Sequence, residues 1–137
     1  MKPLSMFLVM FVSLTACKTE QPELPKLESI TLAEAYPGDI LEVDKIELLD
    51  GSSGERKVVT DRAKIQSWLR EIKDIVLTPD DNQEGRVGYL FGIELFEGEE
   101  SKFGFIPNAV NGVNYEWNDK LELKIKALFE EQFGRTF

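Results

Sequence analysis

The chain's hydrophobic positions first run together and then separate into patterns. After Met1-Lys2, positions 3–12 are almost unbroken apolar sequence, Leu14-Thr15-Ala16-Cys17 closes the run, and Lys18 onward is polar. The run is too short to span a bilayer, which takes about 20 residues. It is apolar all round and is followed at once by polar Lys18-Thr19-Glu20-Gln21-Pro22, so a core helix is also a poor fit. A positive start, a short apolar stretch and a small residue before the cut describe a secretory signal. Residues 18–28 hold Pro22 and Pro25 among Glu, Gln and Lys and predict an extended tether.

Beyond the tether the pattern is that of a folded domain. Thr31-Leu-Ala-Glu34 fits a capping box opening one helical turn, while residues 29–35 also fit an edge strand. Tyr36-Pro37-Gly38-Asp39 predicts a turn. Ile46 and Leu48 alternate with Lys45 and Glu47 in a strand over 40–49, residues 50–54 reverse the chain, and Lys57-Val58-Val59-Thr60 returns. Asp61 is a good N-cap, and Ile65, Trp68, Leu69 and Ile72 recur at helical spacing behind it. A polar loop over 78–85 precedes a strand over 87–96, with Val87, Tyr89, Phe91, Ile93 and Leu95 on one face and Gly88, Gly92 and Glu94 on the other. Phe103 and Phe105 alternate with Lys102 and Gly104. Asn111-Gly112 signals a hairpin, and Val113, Tyr115 and Trp117 alternate after it. Asn118 or Asp119 caps a last helix with Leu121, Ile125, Leu128 and Phe129 on one stripe, and Gly134 ends it.

Two amphipathic helices and one run of strands predict an α+β domain: a single antiparallel sheet with both helices packed on one face. The order of elements is similar to the TATA-binding-protein-like fold, a likeness of topology that carries no function. The predicted boundaries are 1–16 for a signal peptide, 17–28 for a lipidated cysteine and tether, and 29–137 for the domain.

The four residues Leu14-Thr15-Ala16-Cys17 resemble the lipobox of bacterial lipoproteins. The resemblance implies diacylglyceryl transfer to the Cys17 thiol, cleavage before Cys17 and often acylation, as by palmitate, of the new amino group. Two acyl chains give stable anchoring where one does not. It further implies a protein held on the outer face of the cell membrane; in a Gram-negative cell Lys18, which is not the aspartate of inner-membrane retention, leaves the periplasmic face or the outer membrane open. Lys45-Ile-Glu-Leu-Leu-Asp-Gly-Ser-Ser-Gly54, Arg86-Val-Gly-Tyr89 and Asn111-Gly-Val-Asn-Tyr115 are similar to segments of small uncharacterised lipoproteins of Gram-positive bacteria. That likeness supports an envelope location and brings no catalytic residue.

Charge and composition narrow the functions. The formal charge is -9 over 137 residues, which argues against nucleic acid as a partner, because phosphates call for Lys and Arg. There is no histidine, and a lipidated Cys17 leaves no thiol. A Ser-His-Asp triad is therefore impossible, and neither an enzyme nor a cofactor is expected. Asp80, Asn82, Glu84 and Gly85 suit the first positions of a calcium loop, but the twelfth position is Phe91, and a solvated loop is the better reading. Glu97, Glu99 and Glu100 suit solubility at a hairpin tip. The feature with functional promise is the parity of Gly88, Gly92 and Gly104, which would leave a side-chain-free trough on the sheet face away from the aromatic stripe. Leu90, Phe96 and Ile106 would border it. Three outcomes follow: the tether or residues 29–35 pack there, the glycines mark bulges, or the trough receives a partner, a protein or alternatively a small solute or cell-wall fragment.

Overall fold

The computed structural model describes residues 27–85 and 88–137. The signal, Cys17 and most of the tether lie outside the described residues, as do Arg86 and Val87.

The domain is α+β. The first element among the described residues is a strand of two residues, β1 (Ile30–Thr31), running straight into one helical turn, α1 (Leu32–Ala35). Both readings of residues 29–35 thus hold in part. Thr31 and Glu34 complete the capping box, which stops the strand after two residues. The strand expected over 40–49 begins only at Lys45, because Ile40–Glu42 form a 3-10 turn capped by Asp39; β2 (Lys45–Asp50), β3 (Arg56–Val59) and α2 (Arg62–Ile72) follow. A short β4 (Val76–Leu77) follows, then β5 (Phe91–Glu97) and β6 (Glu100–Ile106). The chain ends with the pair β7 (Ala109–Val110) and β8 (Val113–Asn114) and with α3 (Asp119–Phe133).

The single sheet of the sequence reading is two sheets. Six strands form the main antiparallel sheet in the order β3-β2-β5-β6-β7-β8, while β1 and β4 pair separately. The reason is local. Leu32 is fully buried and Ala33 donates to the Lys73 carbonyl at the end of α2, so the N-terminal segment is fastened beside the helices rather than along an edge of the main sheet.

One face of the main sheet is closed. Ile46 and Leu48 of β2 sit opposite Leu95 and Ile93 of β5, which sit opposite Phe103 and Phe105 of β6, and all six are buried. The stripes of α2 and α3 cover them in the same apolar cluster. Trp68 is buried, with its indole Nε1 donating to the Lys124 carbonyl at 3.0 Å, which ties α2 to α3. Asp61 caps α2 and Asn118 caps α3, each accepting from a backbone N–H three residues on. Among the described residues no helix is long and apolar enough to cross a membrane.

The expected strand over 87–96 starts at Phe91. Gly88 has φ +88°, a left-handed conformation that strands do not use. The chain then crosses the β2–β3 hairpin, where Gly51 donates to the Leu90 carbonyl at 2.8 Å. A Cβ on Gly51 would stand 1.7 Å from the Tyr89 carbonyl oxygen, so only glycine permits that crossing. The break cancels the alternation before Phe91. Tyr89, expected with the core stripe, is instead 46% exposed on the other side of the sheet. At the far end the strand containing Val113 stops at Asn114; Tyr115 is buried, and Trp117 projects into solvent.

Candidate functional site

The face of the main sheet away from the helices carries the candidate site, a groove of about 390 Å³. Register builds it. Glu47, Glu94 and Gly104 form one cross-strand row of β2, β5 and β6. Arg56, Leu49 and Gly92 form the next. Ile106, Ala109, Asn111 and Gly112 form one side and the ring of Tyr89 stands at another. Gly104 is exposed, and a Cβ there would meet nothing closer than the Ile93 carbonyl at 3.8 Å. Gly92 differs: a Cβ would come within 3.0 Å of Tyr89 Cε2 and 3.3 Å of Leu49 Cβ. The missing side chain at 92 is therefore the seat of the Tyr89 ring, and the missing side chain at 104 is open space.

Of the residues expected on this face, Gly92, Gly104 and Ile106 come together in the groove. Gly88 and Leu90 do not belong to it, because both precede the strand on the segment that crosses Gly51. Phe96 shares the face but lies at the far end of β5, paired with Lys45, whose Nζ stands 4.4 Å above its ring. The described part of the N-terminal segment, residues 27–36, does not fill the trough; it packs on the helix side, with Tyr36 edge-on to Phe103. Sequence reasoning missed Glu47, Glu94, Arg56 and Tyr89. The first three follow from register, since the alternation of β2 and β5 puts both glutamates on the outer face; the turnover of Tyr89 has no signal other than Gly88.

The polar contacts of the groove are few. Arg56 Nη1 donates to Glu47 Oε1, and the Ser101 hydroxyl donates to Glu94 Oε1. Ser101 thus supports the Glu94 carboxylate from the neighbouring strand. Ser52 and Ser53 lie on the closed side: with the Ser52 N–H and Arg135 Nη2 they donate to the buried carboxylate of Asp50. The Ser52 hydroxyl, then Arg135, hold the Asp50 carboxyl well below its ordinary range against the opposing pull of burial. Arg135 in turn lies over Phe137 at 4.3 Å, in a cluster of Phe91, Phe129, Phe133 and Phe137. Burial, then the 2.8 Å bond from its hydroxyl to Glu97, raises the Tyr36 phenol well above its ordinary range. Glu97 therefore fastens the N-terminal segment, a role beyond the solubility expected of it.

The loop over 78–85 is closed on itself. The Asn82 and Glu84 N–H groups are taken by Asp80 Oδ1 and Asn82 Oδ1. The carbonyls of Asn82 and Glu84 accept from the Asn114 side chain, and Gln83 exchanges hydrogen bonds with the Asn114 backbone. Among the described residues no cluster of three or more acidic, His or Cys side chains is placed to hold a metal ion. The cleft between α2 and α3 is bridged by Lys64 with Glu131 and by Lys124 with Glu71.

Comparison with family models, with curated proteins and with solved structures finds no match to this chain.

Proposed function

We propose that this chain is a lipid-anchored extracytoplasmic envelope protein, held through Cys17, that acts without catalysis as an accessory module binding a protein partner on the outer face of its main sheet. The groove at Gly92 and Gly104 carries this reading. It lies on the face that the helices leave bare, and its open floor at Gly104, beside the Tyr89 ring seated on Gly92, lets a partner's chain approach the sheet closely. Gly104, Asn111 and Gly112 are exposed and Leu49, Ile106 and Ala109 half-buried. A small-solute site encloses most of its ligand, whereas an open trough suits an extended chain.

The lipobox resemblance at Leu14-Thr15-Ala16-Cys17 supports the location, and the test of the anchor is metabolic labelling with a fatty acid. Wild type should take label and Cys17→Ser should remain an unlabelled precursor; equal label on both would reject the anchor. For the binding face the test is Gly104→Leu in the anchored protein. Its melting point should hold while cross-linking to the partner in its own membranes is lost. Retained cross-linking with leucine filling the groove would reject the face.

A further inference from the structure

The groove's chemistry says what class of side chain enters it. Glu47 and Glu94 stand directly opposite each other on β2 and β5. Like charges in that relation destabilise a sheet. Arg56 meets Glu47, but among the described residues no ammonium or guanidinium meets Glu94, which has the Ser101 hydroxyl instead. On the other side of Glu94 the β6 position is Gly104, so its carboxylate borders the open part of the groove. Tyr89 supplies an exposed aromatic face in the same groove. A carboxylate and an aromatic ring around an open trough complement an ammonium or guanidinium group on an apolar stem: the charge meets Glu94, the ring attracts the cation, and Leu49 and Ile106 cover the methylenes.

We propose that the groove receives a lysine or arginine side chain from an extended, basic segment of a partner protein, with Glu94 as the acceptor of its charge. The proposal rests on the reading of this face as a docking surface and adds the chemistry of what docks. A cation placed there also relieves the opposition of Glu47 and Glu94, so binding and stability are coupled in one direction.

The test uses the full lipid-anchored chain in nanodiscs and three synthetic peptides of eight residues, alternating glycine with lysine, glutamine or glutamate. The lysine peptide should bind and the other two should not, and its affinity should fall as salt rises. Glu94→Gln should weaken the lysine peptide roughly tenfold, the loss of one charge-assisted contact. The same variant should keep or raise the melting point, which separates lost binding from lost folding. Glu116→Gln, exposed on the segment after β8, should leave binding unchanged. Equal weakening by Glu94→Gln and Glu116→Gln would mean general attraction to an acidic protein and would overturn the site. Failure of the lysine peptide, with partner cross-linking still lost in Gly104→Leu, would overturn the cation while leaving the docking face. Failure of both would overturn the two together.

Discussion

The two faces of the main sheet hold acidic groups in opposite ways. On the helix side Asp50 is fully buried, yet its two oxygens collect two serine hydroxyls, a backbone N–H and a guanidinium. On the bare side Glu47 and Glu94 are half-exposed, face each other, and share between them one guanidinium and one hydroxyl. Every buried polar side-chain atom among the described residues has a hydrogen-bond partner, so the contrast is not one of general neglect. A carboxylate that serves the fold is completed by the chain itself. The pair on the bare side is left partly to solvent beside Gly104, and it is this pair that the proposed docking would complete.

Variants on each side sharpen this contrast. The largest effect belongs to the helix side. Trp68→Ala removes the side chain that joins α2 to α3 and should cost about 3–5 kcal/mol by denaturant unfolding. A loss under about 1 kcal/mol would show that the helix layer does not depend on that residue. Next is Asp50→Asn. Because the folded carboxyl titrates well below its ordinary value, its contribution to stability is present above about pH 4 and is lost as the pH falls below that. The variant should be less stable than wild type at pH 7, and the gap should narrow as the pH drops from about 4 toward 2. A constant gap across that range would remove Asp50 as the source of the acid sensitivity.

The bare side should show smaller effects, and the two glycines should part company. Gly92→Val drives a branched side chain into the Tyr89 ring and should cost about 1 kcal/mol, with Tyr89 fluorescence changed. Gly104→Val meets open space in an extended strand and should stay within about 0.5 kcal/mol of wild type. Equal costs at 92 and 104 would mean that Gly104 too is packed against, and the open groove would be lost as a feature.

Most of the fold was legible because its pattern is periodic. The α2 stripe behind Asp61, the α3 stripe behind Asn118, the Ile46/Leu48 alternation and the Asn111-Gly112 hairpin turn all stand where the spacing puts them. The errors sit where a non-local contact overrides the period. Gly88 takes a left-handed conformation because the chain must pass over Gly51, and that crossing turns Tyr89 out and removes Gly88 and Leu90 from the groove. Leu32 and Tyr36 draw the N-terminal segment under the core, which splits off the small β1–β4 sheet. Asn114 falls between Val113 and Tyr115 in the alternation, which carries no sign that its buried amide organises the loop from Asp80 to Glu84. Parity brought Gly92, Gly104 and Ile106 together, whereas the opposed glutamates became visible only with the register between β2 and β5.

The bare face, and not the helix layer, is the proposed docking surface. Site-specific photo-cross-linking of the anchored protein in its native membranes tests it most directly. One photoreactive residue replaces Ile106, at the groove, and in a second sample replaces Leu123, which is 65% exposed on α3. Docking on the bare face should give one discrete cross-linked species from position 106, none from position 123, and loss of the first when Gly104→Leu is added. A species from position 123 with none from position 106 would contradict it.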